Sequence, residues 1–105
     1  MPGWLLKVQK RIKGLAATRE VLFTLKALQE LADLGLDEED ACDTLAELTA
    51  EDSAGRLKAA TTGEWMYVFK PQVFETALYV KVILRGRCIL ISFHEDEPNN
   101  DEEDA

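Results

Sequence analysis

From Trp4 to Lys13 the apolar residues Leu5, Val8 and Ile12 recur at spacings of three and four, the period of one helix face, with the cationic side chains turned to water. Gly14 is the expected end of that helix. The segment "EVLFT" fits a short strand or the first turn of the next helix, and the strand is favoured. Thr24 then caps a helix through Leu34, with Leu25, Leu28, Leu31 and Ala32 as the buried stripe and Gly35 as the left-handed stop. Asp37 with Asp40 three residues on is a further cap, before a helix that carries Ala41 and Leu45 to about Leu48. Thr49 repeats the arrangement ahead of "AEDSAGRLKAA", a weaker helix or turn that presents Arg56 and Lys58.

After "TTG" the period changes. "EWMYVFK", "TALYVKVIL" and "RCILISFH" are each the length of a strand. Helices first and strands afterwards predict an α+β domain, N-terminal helices packed on a mainly antiparallel β-sheet. One domain over residues 1–97 is expected, followed by a disordered acidic tail at 98–105, "PNNDEEDA".

Strand register permits a sharper inference, because alternate side chains face opposite ways. Leu78, Val80, Val82 and Leu84 form one apolar face, and Ile89, Ile91 and Phe93 another. A two-residue turn at Arg85 and Gly86 brings them to one core by pairing Leu84 with Arg87, Val82 with Ile89, Val80 with Ile91 and Leu78 with Phe93. The opposite face then holds Tyr79 across from Ser92, Lys81 across from Leu90, and His94 across from Ala77 and diagonal to Tyr79.

An imidazole can act as acid or base near neutral pH, and a cation can neutralise charge developing on a phosphorane. The plainer account is the polar outer face of a half-exposed antiparallel sheet, with a histidine at a strand end. Trp65, Tyr67 and Phe69 alternate along the first late strand and could stack bases, although core burial of at least two is the default, with Tyr67 the candidate for an exposed edge. Lys70, at the end of that strand, is a phosphate contact or a plain surface charge.

Charge modifies this picture. The 105-residue chain has a formal net charge of -8. Seven of its 20 acidic residues lie between Glu95 and Asp104, so residues 1–93 are nearly neutral. Ten acids and no base occupy Glu30 to Asp52, whereas Arg56, Lys58, Lys70, Lys81, Arg85 and Arg87 face only Glu64 and Glu75. A positive face of that kind attracts phosphate, or simply solubilises the fold. Two distant cysteines suggest neither a disulfide framework nor a zinc site, and no cofactor is expected. No nucleophile elbow or glycine-rich phosphate loop is present. The carboxylates of "DEEDACD" read as a solvated cap region or a cation site. Nothing approaches a signal segment or the roughly 20 apolar residues of a membrane span, so a cytoplasmic protein is expected.

The fragments "FTLKALQELADLGLDEEDA", "LTAEDSAGRLKA", "GEWMYVFKP" and "LYVKVILRGRCILISFHEDE", in this order and over nearly the whole chain, resemble the MqsR family of bacterial toxins. The resemblance implies an mRNA interferase of a type II toxin-antitoxin system with a compact RelE-like fold. It further implies metal-independent cleavage of single-stranded mRNA, and a cognate antitoxin, often with zinc-binding and helix-turn-helix DNA-binding domains. Carried over, the family's sheet tyrosine falls on Tyr79 in "LYVK" and the basic residue of its "SF" motif on His94. Its earlier basic residue falls at or next to Arg56, and Met66 stands where some members have glutamine. The expected catalytic set is His94, Tyr79, Arg56 and Lys81, with Lys58, Tyr67, Lys70 and Ser92 as RNA contacts. A non-catalytic RNA- or antitoxin-binding module, and a protein-interaction domain using its acidic surfaces, are the alternatives.

Overall fold

In the computed structural model, which describes residues 2–96, the opening stripe forms helix α1 (Leu5–Ala17) and buries Leu5, Val8, Ile12 and Ala16. The helix runs past Gly14, correcting the expected stop. Gly14 lies on the exposed side, where it weakens a helix without ending it. The reversal falls instead on Arg19, whose φ of 62° is left-handed.

Strand β1 (Val21–Phe23) leads into α2 (Leu25–Asp33), capped by the Thr24 hydroxyl, which accepts the Ala27 N–H at 3.1 Å. The buried stripe of α2 is Ala27 and Leu31, whereas Leu25 is 71% exposed. The leucine run therefore misled about helix phase: small Ala27 lets the backbone approach its neighbours, and Leu25 and Leu28 point outward. Gly35, with φ 73°, stops the helix as expected. Helix α3 (Glu38–Ala46) begins with reciprocal Asp37 and Asp40 bonds of 2.9 and 3.0 Å. It ends two residues before Leu48, which is buried nonetheless. Arg19 ties α1 to α3 through Glu39 at 2.7 Å and Asp43 at 3.1 Å.

The third cap is real but brief. The Asp52 carboxylate accepts the Thr49 N–H at 2.8 Å over a single 3-10 turn, Ala50–Asp52. The chain then extends as β2 (Ser53–Lys58) rather than as a helix. Gly55, at φ 99°, breaks helical continuation, and pairing with β3 (Trp65–Phe69) satisfies the backbone. A short β4 (Gln72–Val73), unforeseen in the sequence, precedes β5 (Thr76–Arg85) and β6 (Arg87–Glu95).

The main path of the sheet is β1-β6-β5-β3-β2, with β4 paired to β5. Among the described residues only the β1–β6 pairing is parallel. Three helices on a mixed, mostly antiparallel six-stranded sheet make the expected α+β fold. Phe69, Leu78, Val80, Val82, Cys88, Leu90 and Phe93 meet the helical residues Ile12, Leu31 and Leu45 in one core. The expected tail at 98–105 lies outside the described residues.

The β5–β6 register differs from the expected one. Arg85 pairs with Arg87 around a single left-handed Gly86, so Ile83 meets Ile89 and Val82 meets Leu90. Ile91 is then an extra residue in a β-bulge, after which Lys81 pairs with Ser92, Val80 with Phe93 and Tyr79 with His94. The β6 residues in the core are Cys88, Leu90 and Phe93. Ile89 and Ile91 are only half-buried, because the turn and the bulge each displace the alternation.

Candidate active site on the open sheet face

Val68, Tyr79, Ile83 and Ser92 are buried but stand outside the helix-packed core. Alternation and register place them together on the other side of the sheet. There Val68, Lys81 and Ser92 form one cross-strand row, and Tyr79 and His94 stand in the next. The direct Tyr79–His94 pairing, closer than the expected diagonal, stacks the two rings with centroids 5.0 Å apart and planes 9° apart.

His94 Nδ1 lies 2.8 Å from the Glu95 carbonyl oxygen. That oxygen only accepts, so the bond places a proton on Nδ1 and leaves Nε2 of a neutral ring as the lone-pair nitrogen. Lys70 Nζ approaches the Tyr79 ring to 5.9 Å and Asp96 to 3.6 Å. Ser92 is only 1% exposed, and its hydroxyl accepts from Lys26 Nζ at 2.9 Å. Beyond Ile83, Arg85 binds Glu64 through both carboxylate oxygens and holds that carboxyl below its usual range.

Arg56, Lys58 and Tyr67 are not brought to this cluster. Arg56 pairs with Tyr67, which pairs with the core residue Val82, so that row belongs to the helix side. The Arg56 guanidinium sits 3.8 Å from the Trp65 ring centroid and 4.7 Å from that of Trp4, and Lys58 Nζ stands 5.0 Å from Trp65. Tyr67 is half-buried against Trp4, with ring centroids 5.5 Å apart, rather than forming an exposed aromatic edge. Trp65 is the more exposed of the strand's aromatics. Met66, one residue from Tyr67, faces the open side beside Ile83.

Sequence reasoning missed Thr24, Lys26 and Glu30 as contributors to this region. Lys26 and Glu30 show only the i, i+4 spacing of an ordinary surface pair, and their partners on β6 lie more than 60 residues away. Neither thiol is a ready nucleophile: burial pushes Cys88 up to about 12 and raises Cys42 as well. Among the described residues no cluster of three or more His, Cys, Asp and Glu is arranged to hold a metal ion. Nor is any helix among them long and apolar enough to cross a membrane.

Comparison with curated proteins finds no match. A family model, by contrast, aligns with residues 5–95. That span holds the three helices, the whole sheet and every member of the open-face cluster from Lys26 to His94. On that match the chain belongs to the MqsR toxin family, whose description reads motility quorum-sensing regulator, toxin of MqsA.

Proposed function

We infer that this toxin is an endoribonuclease, an mRNA interferase that cuts single-stranded mRNA in the cytoplasm without a metal and is neutralised by a cognate antitoxin with a helix-turn-helix domain. The observation that carries the reading is the stacked Tyr79–His94 pair beside Lys81 and Ser92, on the sheet face that the helices leave open. His94 Nε2 takes the proton of a ribose 2'-hydroxyl, and the freed oxygen attacks the adjacent phosphorus. The bond from phosphorus to the 5' oxygen breaks, and that oxygen takes a proton from the Tyr79 hydroxyl. The products are a 2',3'-cyclic phosphate and a 5'-hydroxyl, and solvent returns both side chains to their starting protonation. Lys81 offsets charge on the phosphorane and Lys70 holds the flanking backbone, while Ser92, buried and bound to Lys26, does not reach the RNA.

In this reading Arg56, which stands on the other face with Lys58 and Tyr67 beside it, is left out of the chemistry. The same observation favours a second reading, in which the chain binds RNA or its antitoxin without cutting, since one expected cation is missing from the cluster.

The deciding experiment incubates antitoxin-free protein with a long single-stranded RNA in EDTA and maps cut sites and end chemistry. Site-specific cuts with cyclic phosphate ends, reduced roughly 10²-fold or more in His94→Ala, are expected. Activity within a few-fold of the parent would remove His94 from proton transfer. Salt-sensitive RNA binding with no cuts would select the second reading.

A further inference from the structure

β1 ends at Phe23, so its pairing with β6 stops at Leu90. Beyond that point the backbone groups along this edge of β6 need other partners. The start of α2 supplies them. Thr24 donates its N–H to the Leu90 carbonyl at 3.2 Å and its hydroxyl to the Ile91 carbonyl at 3.3 Å. Farther along the helix, Glu30 Oε1 accepts the Phe93 N–H at 3.0 Å. Between them Lys26 donates to the Ser92 hydroxyl at 2.9 Å and stands 3.8 Å from the second oxygen of Glu30. Side chains thus continue a ladder after the strand that began it has ended.

The place where they do so matters. Thr24 holds the bulged residue Ile91 itself, and Glu30 holds the backbone two residues later. A bulge that migrated toward the end of β6 would turn Phe93 outward and His94 into the core, because a one-residue shift reverses every side chain beyond it. The bond to a carboxylate is charge-assisted and stronger than a neutral one. Lys26 balances that carboxylate, which is mostly covered, on a face otherwise suited to phosphate.

We propose that Glu30 is a positioning residue for the chemistry of the open face: by holding the Phe93 N–H it pins the bulge at Ile91 and keeps His94 stacked on Tyr79. It touches no substrate. The proposal rests on the reading of His94 as a proton-transfer group. Glutamine retains an oxygen acceptor at the same reach, whereas aspartate is one methylene too short.

The test compares Glu30→Gln, Glu30→Asp and Glu30→Ala with the parent. It reads kcat and KM for RNA cleavage, hydrogen exchange of the Phe93 amide, and the ring resonances of His94. Glu30→Ala and Glu30→Asp should lower kcat about 10-fold with KM nearly unchanged, as expected for a displaced catalytic group. They should also speed Phe93 exchange and shift the His94 ring signals, and Glu30→Gln should restore all three towards the parent. Should the alanine variant not fold, the aspartate variant carries the comparison. Normal kcat alongside fast Phe93 exchange would overturn the proposal, as would a kcat loss that glutamine does not rescue. If the parent protein cuts no RNA, the functional reading fails separately. Unchanged His94 ring signals in Glu30→Asp would still overturn the positioning role, and shifted signals restored by glutamine would uphold it.

Discussion

Phe93 and His94 are consecutive in β6 yet stand on opposite faces of one sheet. Phe93 is fully buried with Val80, Leu90 and the helices, while His94 is half-exposed and stacked on Tyr79. On the helix side, close packing gives each side chain many neighbours and makes stability depend on it. The open side, which the helices do not cover, sets the partly exposed Lys81 and His94 among the buried Val68, Tyr79, Ile83 and Ser92. On the proposed reading, strand alternation divides stability from chemistry, so adjacent positions should fail in different ways.

The largest expected effect tests that division directly. Phe93→Ala should lose about 3–5 kcal/mol of folding free energy through lost burial and a cavity. His94→Ala should cost about 1 kcal/mol or less, mainly its ring contact. Denaturant unfolding of both variants measures the difference, and equal losses would break the comparison. Next in size, Lys81→Ala should slow RNA cleavage by roughly 10²-fold, as loss of a charge-stabilising group does, while Arg56→Ala stays within a few-fold. The reverse ranking in single-turnover assays would move the reaction to the helix side.

The smallest effect concerns pH. Arg85 holds the Glu64 carboxyl below its usual range, so the fold gains from the pair above the pH at which the unfolded carboxyl titrates. That gain disappears as pH falls through the lower range of the folded state. Glu64→Gln should therefore lower the thermal midpoint slightly near neutrality and leave it unchanged in strong acid. The shift is small because the pair is exposed to solvent. A midpoint gap that widened on acidification would contradict the sign.

Local features were readable from local sequence. Thr24, Asp37 and Asp40 announce their helix starts because each cap closes within three residues. Leu5, Val8 and Ile12 announce the buried side of α1 by spacing. The polar set Tyr79, Lys81, Ser92 and His94 was also readable as sharing one face, although its pairings were not. Gly86 makes the turn with one residue rather than two, and the bulge at Ile91 adds a second one-residue displacement that restores which side each later residue faces. Two such irregularities leave no mark in hydrophobic alternation. The Thr49–Asp52 cap resembled a helix start, but Gly55 and pairing with β3 override it. That override turned Arg56 towards Trp4 and Trp65. Glu30 and Phe93 are 63 positions apart, and their bond follows only from where the chain folds back.

Between the pairs Val82–Leu90 and Lys81–Ser92, one step along β5 is answered by two along β6. The strand thus holds a surplus residue, and the numbers of residues from the turn to the two stacked rings are unequal. Counting outward from Gly86, Tyr79 is seven positions away and His94 eight. An equal count reaches Phe93, which lies in the core. A relative lacking this surplus would bring its facing group to the tyrosine one residue sooner. The partner across the sheet is therefore the transferable coordinate of this site, and distance along the chain is not.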